Sequence, residues 1–353
     1  MSDEFLAAVV EKSRTQAAIG SLRAEGVYDD DRSVFEASGE TVAIPVTETP
    51  TETQILEVIR EEGEPRLRTL ADHLREDGWT DDQIAAAPSS WAVLGSVITA
   101  EMGDAHDPEA VGEALLAMHG QADTVLARGG IDGQHRKPDV TVVAGEGDTE
   151  TVHREHGTEY AMDLAEVMFS PGNKAERARM GEAVGAGERV LDMFAGIGYF
   201  TLPMARAGAH VTAIERNPDS FQYLLENAMR NGVSDRIEPY RADNRDVLDS
   251  YDGEPFDRIV MGYYDASEPC ADDSQTGSGQ SYEYLSEALS VLAPGGTLHM
   301  HEATPESLVP DRPVGRLEEA ASAVGRSVEI LDVREVKGYS EGVVHVVVDA
   351  RVE

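Results

Sequence analysis

From Val190 onward the apolar and polar positions fall into a repeating order. VLDMFA lacks polar alternation until Asp192, as expected of a parallel strand covered on both faces. The turn Gly196-Ile197-Gly198 follows at once, a helix is predicted from Tyr199 to Ala207, and the strand HVTAIE ends in Glu215. RIEPY reads as a third strand, with Asp243 and Asn244 just beyond it, and FDRIVMGYY as a fourth. The helix YEYLSEALSVLA, a PGG turn, the strand TLHMHEA and the helix VGRLEEAASAV come next. Two closing strands, SVEILDVREV and VVHVVVDARV, are read as joined by the loop KGYSEG. Strands and helices in alternation, then an antiparallel hairpin, predict an α/β fold with a mostly parallel, seven-stranded sheet. The loop DASEPCADDSQTGSGQ falls beyond strand four, at the edge where such sheets take ligands, and a lid is expected there.

The preceding half has a different texture. Residues 1–60 carry a helical spacing at Phe5, Ala8, Val9, Ser13, Ile19 and Leu22, followed by two short strands, and read as a small αβ unit. Residues 61–165 begin with helices in PRLRTLADHLREDG and WTDDQIAAAP and then turn strand-rich. WAVLGSVITAEM, KPDVTVVAG and ETVHREHGTEYAMDLAEVMF alternate between Gly, Asp and Thr turns, with a helix in DPEAVGEALLAMHGQ. These two segments form a smaller α+β N-terminal region ahead of a catalytic domain at 166–353, and no internal repeat is visible.

The glycine turn between two strands carries the first chemical signal. Glycines let the backbone approach a ligand closely, and the helix after them offers free N–H groups. An acid at the tip of the second strand, here Glu215, is placed for the two hydroxyls of a ribose. A dinucleotide fingerprint would need a third glycine where Thr201 stands, which disfavours NAD and redox use. The pattern D-x-F-x-G-x-G, from Asp192 through Gly196 to Gly198, resembles that of class I S-adenosylmethionine (SAM)-dependent transferases, Rossmann-like in fold. That resemblance implies SAM as co-substrate, with Asp192, Gly196, Gly198 and Glu215 around it and Asp243 and Asn244 at the adenine.

Length and composition narrow the class. The 353 residues suffice for two or three domains. No apolar run approaches the ~18 residues of a membrane helix and the start has no signal-peptide shape, so a cytoplasmic protein is expected. One cysteine, Cys270, excludes internal disulfides and thiolate zinc clusters. There are 67 acids against 29 bases, a net charge of −38, and lysine occurs only at Lys12, Lys137, Lys174 and Lys337. At 1 M salt the screening length is ~3 Å, so such a surface suits molar salt, and a halophilic archaeon is the expected source.

The order of GQHRKPDVTVVAG, EVMFSPGNKAERARM, AIERNPDSFQYLLENAMRNGV, ADNRDV, MGYY, HMHEATPE and VKGYSEGVVHVVVDARV resembles, over nearly the whole chain, the archaeal and eukaryotic tRNA enzymes that modify the purine beside the anticodon, at position 37. Two sister activities share that scaffold: a guanine-N1 methyltransferase, and a wybutosine-pathway transferase that moves the 3-amino-3-carboxypropyl group of SAM. The methylating sister carries an Asn-Leu-Pro type motif after strand four, where this chain has Met261, Gly262, Tyr263 and Tyr264. It also has an arginine after the Ser-Pro pair, where this chain has Gly172 and Asn173; SPGN is similar to the aminocarboxypropyl branch. That branch implies transfer to C7 of 4-demethylwyosine in phenylalanine tRNA, with Ser170 and Arg177 on the cofactor. Methylation of guanine at position 37, a small-molecule methyltransferase and a non-catalytic SAM- and RNA-binding protein are the alternatives.

Attack on the γ-carbon of SAM releases 5′-methylthioadenosine, a neutral thioether, so no general acid is required, but the attacked base carbon must lose a proton. Candidates near that step are Glu176, Tyr263 and His301. Asn173 and Glu176 also make a capping-box pattern. His299, His301 and Glu302 imitate a metal site, yet the reaction calls for no metal. Arginine-rich stretches, with Arg136, Lys137, Arg154, Lys174 and Arg179, are the expected phosphate-facing side, and a monomer is the expected state.

Overall fold

The structure, a computed structural model, describes residues 3–63, 67–132, 135–264 and 281–353. The segment read as a lid, 265–280, lies outside the described residues, and Cys270 with it. The chain divides into two compact units, 1–85 and 86–353, rather than at 60 and 165. The early helices group with the first unit and the strands of 91–163 with the second.

In the first unit a four-stranded sheet has the order β2-β3-β1-β4. Its strands are β1 (Asp3–Glu11), β2 (Phe35–Ser38), β3 (Thr41–Val46) and β4 (Glu57–Gly63). The helical spacing read over Phe5 to Ser13 is corrected here: β1 lies between β3 and β4, antiparallel to both. Ala7, Ala8, Val9 and Val10 are all buried, so both faces of the segment are covered, and a one-sided helical stripe cannot provide that. Helix α1 (Thr15–Glu25) packs Ala18 and Leu22 onto the sheet and ends at Gly26 with φ 78°. Helix α2 (Leu70–Glu76) starts at a Thr69–Asp72 capping box, and α3 (Asp81–Ala85) follows.

The second unit opens with the sheet β5-β6-β7-β8: β5 (Trp91–Leu94), β6 (Val97–Ala100), β7 (Thr124–Asp132) and β8 (Lys137–Gly145). Helix α4 (Pro108–Met118), capped by Asp107, makes the crossover between the parallel pair β6 and β7. The glycines of β7 disguise it in the sequence; the ladder absorbs them as an irregularity between Arg128 and Ile131. The long run from Glu150 is a hairpin, β9 (Glu150–Glu155) and β10 (Thr158–Asp163), turning at His156 and Gly157 with φ 46° and 78°.

The large sheet has seven strands in the order β13-β12-β11-β14-β15-β17-β16. They are β11 (Arg189–Asp192), β12 (His210–Ile214), β13 (Ile237–Tyr240), β14 (Phe256–Met261), β15 (Leu292–Pro305), β16 (Val328–Ser340) and β17 (Val343–Val352). The pairs from β13 to β15 are parallel, and β17 pairs antiparallel with both β15 and β16, as the closing hairpin predicts. Helices α5 (Lys174–Ala183), α6 (Thr201–Arg206) and α7 (Pro218–Arg230) supply one core layer with Val190 and Val211. Helices α8 (Asn244–Leu248), α9 (Leu285–Val291) and α10 (Asp311–Ala323) supply the other, with Leu191 and Ile214. Adjacent strand residues thus serve opposite layers, which is why these strands lack polar alternation. Two boundaries depart from expectation. The PGG segment is part of β15, and KGYS is the end of β16, so only Glu341 and Gly342 turn the closing hairpin.

Candidate active site

The carboxyl ends of β11, β12 and the segment after β13 meet at the glycine turn. Asp192 is fully buried, accepts from the Thr201 hydroxyl at 2.7 Å and the Phe194 N–H at 3.3 Å, and thereby holds the turn's shape. Burial pushes its pKa up to about 6. Gly196 and Gly198 have φ 56° and 102°; a Cβ on Gly198 would stand 2.7 Å from Leu202 Cγ. Glu215 accepts N–H groups from Gly196 at 2.8 Å and Asn217 at 2.6 Å, so it is clamped to the turn while remaining half-buried. Burial raises its pKa above the ordinary carboxylate value.

Beyond β13, Asp243 caps α8 by accepting the Arg245 N–H at 3.0 Å. Asn244 donates from Nδ2 to the Met193 carbonyl at 2.6 Å, and its buried Oδ1 has no partner among the described residues. An aromatic shelf rises beside them: Tyr263 stacks on Phe194 at 4.9 Å and 21°, and Tyr284 meets Phe194 edge-on at 5.2 Å. Arg136 lies over the Tyr263 ring at 5.2 Å and donates to the Tyr264 carbonyl at 2.7 Å.

The third part of the site comes from the segment before α5. Arg177 is buried, forked onto Glu155 at 2.7 and 2.9 Å, and donates to the Ser170 carbonyl at 2.9 Å. Burial alone would raise the Glu155 pKa, but hydrogen bonds from His153 and Arg177 hold it at about 2. The Ser170 hydroxyl accepts from Lys337 Nζ at 2.7 Å, across from β16. Phe169 joins this corner to the glycine turn, its ring 5.8 Å from that of Tyr199. A half-exposed acid, an unfilled buried amide oxygen, close-approach glycines and a cationic corner together suit an adenosine extended by a charged tail.

Residues 151–331 match the TRM5/TYW2 methyltransferase domain and residues 70–149 the TYW2 N-terminal domain. A tRNA(Phe) (4-demethylwyosine(37)-C(7)) aminocarboxypropyltransferase of Pyrococcus horikoshii is 37% identical over 293 residues, 82% of this chain and 96% of its own. This chain belongs to the TRM5/TYW2 family. Among solved structures, P. horikoshii TYW2 in complex with MeSAdo aligns with a TM-score of 0.65 at 34% identity, covering 79% of this chain and 96% of that one. Trm5b from Pyrococcus abyssi aligns with a TM-score of 0.72 at 26% identity, over 99% of both chains. The class I, SAM-dependent fold expected from the glycine turn is therefore the fold of the family.

The three candidates for proton transfer in this TRM5/TYW2 member are dispersed. Glu176 is buried and forked onto Arg334 of β16 at 2.8 and 2.7 Å, and Asn173 makes no side-chain cap, so the capping box of the sequence is not formed. The ion pair wins because Arg334 also binds Asp349 at 2.6 Å and gathers both acids. His301 is buried against His345, 3.0 Å between Nδ1 and Nε2, and burial pushes its pKa down to about 3. His299 faces the same way but serves the ion network: Arg258 donates to its Nε2 at 2.6 Å, so its Nδ1–H donates to Asp349 at 2.6 Å. Glu302 is engaged by Arg312 and Arg316 of α10, which separates it from the histidines. Of the three, only Tyr263 lies on the half-exposed shelf.

The cations expected at the RNA take partners of their own. Lys137 donates to Glu166 at 2.6 Å, Arg154 pairs with Glu159, and Arg179 binds Asp332 at 3.0 Å and Asp349 at 3.1 Å. Lys174 is exposed at the start of α5, and Arg136 turns inward to the strand-four tip. Lys337, Phe194 and Tyr284 are the site residues that sequence reasoning missed. Lysine scarcity in so acidic a chain was the available signal for the first.

Proposed function

We propose that the protein transfers the 3-amino-3-carboxypropyl group of SAM to C7 of 4-demethylwyosine at position 37 of phenylalanine tRNA, releasing 5′-methylthioadenosine. The observation that carries this reading is the match of residues 70–149 to the TYW2 N-terminal domain, joined to 37% identity with an aminocarboxypropyltransferase across 82% of the chain. SAM supplies an electrophilic γ-carbon whose sulfur leaves as a neutral thioether. Glu215 receives the ribose hydroxyls, Asp243 and Asn244 the adenine edge, and Gly196 and Gly198 keep the backbone close. Asp192 fixes the turn. Ser170 faces the amino-acid arm, with Arg177 behind it as a positioning residue. The shelf of Phe194 and Tyr263 receives the tricyclic base by stacking, and Arg136 lies over it as a cation. Catalysis then comes mainly from holding the γ-carbon in line with C7.

The partner is the anticodon loop, reached by a cytoplasmic, salt-adapted monomer. Among the described residues no helix is long and apolar enough to cross a membrane. A second reading, guanine-N1 methylation, is favoured by the whole-chain likeness to Trm5b. Incubation with tRNA carrying either guanosine or 4-demethylwyosine, using SAM labelled on the methyl or on the carboxylate carbon, decides between them. Carboxylate label on the precursor-modified RNA with release of methylthioadenosine is expected; methyl label on the guanosine RNA would establish the sister activity instead.

A further inference from the structure

Lys337 is an anomaly in a chain with 67 acids, because among the described residues the partner of its ammonium is a hydroxyl. It projects from β16, half-buried, to donate to the Ser170 Oγ at 2.7 Å. Burial lowers its pKa below that of an ordinary lysine, and the positive charges of Arg177, Arg128 and Arg136 act in the same direction. Arg177 is neutralised by Glu155 and Arg128 by Glu101, so among the described residues Arg136, held on a carbonyl, is the cation left without an acid to act on the lysine. Such a corner is complete only with an anion in it.

The approach depends on one glycine. A Cβ on Gly172 would stand 3.1 Å from Lys337 Cδ and 3.6 Å from Nζ, so a larger residue there displaces the stem that delivers the ammonium.

We propose that Lys337, admitted by Gly172, binds the carboxylate of the aminocarboxypropyl arm of SAM together with Ser170, and so selects which carbon of the sulfonium faces the base. The inference rests on the function proposed above. In that reaction the sulfur–Cγ bond breaks with its electron pair passing to the sulfur of methylthioadenosine, the C7–Cγ bond forms and C7 releases its proton to solvent, while the carboxylate passes unchanged from cofactor to product. Its anchor therefore holds the transferred group at its far end throughout. An RNA phosphate is the less fitting anion, because the ammonium is half-buried and held on the Ser170 hydroxyl, at the corner assigned above to the amino-acid arm.

Calorimetric titration without RNA tests this, using SAM, decarboxylated SAM and 5′-methylthioadenosine on the wild type, Lys337→Met and Gly172→Val. Methylthioadenosine shares the adenosine contacts and lacks the arm, so its affinity reports an intact pocket. In Lys337→Met the ratio of SAM to methylthioadenosine dissociation constants is expected to rise about tenfold or more, the size of a lost charge-assisted contact. The wild type's preference for SAM over its decarboxylated form is expected to fall by a similar factor, and Gly172→Val to follow the same pattern with the lysine present. An unchanged ratio overturns the proposal, whether the two affinities hold or fall together. So does a loss of tRNA affinity at constant ratio, which would assign the lysine to a phosphate. The labelling assay on the wild type is independent: methyl transfer with a moved ratio would leave the lysine contact standing and remove the aminocarboxypropyl reading.

Discussion

His301 and His345 form a buried pair whose outward nitrogens, Nε2 and Nδ1, find no partner among the described residues. Burial drives both pKa values down, to about 3 and about 2. Both rings are therefore neutral in the native protein, while in the unfolded chain they titrate near 6.5. Below pH 6.5 the unfolded chain binds protons that the folded one refuses, so stability falls as acid is added, down to about pH 3. Each histidine contributes a slope of up to about 1.4 kcal/mol per pH unit over that window. Urea midpoints from pH 7 to 4.5 are expected to drop, and less steeply in His345→Asn; a variant with the wild-type slope would contradict the burial seen here. A residue's place was legible where a strand tip announced it, as for Glu215 after HVTAI, which lies against the glycine turn. It was hidden at Lys337, whose partner Ser170 lies 167 positions away.

Among the elements, α5 is attached to the closing strands by charge rather than by an apolar stripe. Glu176 and Arg179 of α5 meet Arg334, Asp332 and Asp349 of β16 and β17, and His299 carries the network on to Arg258 and Glu188. Arg334→Met strips both Glu176 and Asp349 of a cation and is expected to cost about 3–5 kcal/mol, the penalty of breaking a buried pair. Adding Glu176→Gln should restore part of it in urea unfolding, and Glu176→Gln alone should leave the pH profile of kcat unchanged. A shifted profile would return Glu176 to the reaction. The mostly parallel character of the large sheet and its closing hairpin were readable from the alternation of strands and helices, because covered parallel strands have a distinctive apolar run. The N-terminal strand β1 was not, since its Ala and Val residues satisfy a helical count and a strand equally. Nor was the end of β16: Lys, Gly and Ser in KGYS are turn-formers by composition, and only pairing with β17 keeps them in the ladder.

For the molecule as a whole, acids outnumber bases so far that even complete one-to-one pairing leaves 38 carboxylates over. Their mutual repulsion is screened at a length of ~3 Å in 1 M salt and ~10 Å at 0.1 M. Thermal midpoints are therefore expected to fall as KCl is lowered from molar to about 0.1 M, and a flat response would remove the salt-adapted reading. Composition alone carries this expectation. The division into units at 85 and 86 was not visible, because it follows from how strands associate and no compositional break marks it.

One run of hydrogen bonds joins the two ends of the site. Glu215 holds the N–H of Asn217, whose side chain donates to the His135 carbonyl at 3.0 Å, and the next residue, Arg136, grips the strand-four tip at Tyr264. With the nucleoside at Glu215 and the base on the shelf, as proposed above, the two ligands touch opposite ends of this run, so binding of one is expected to favour the other, and tRNA affinity with and without a cofactor analogue measures it. Free-energy linkage makes that help mutual: the factor by which a cofactor analogue tightens tRNA must equal the factor by which tRNA tightens the analogue.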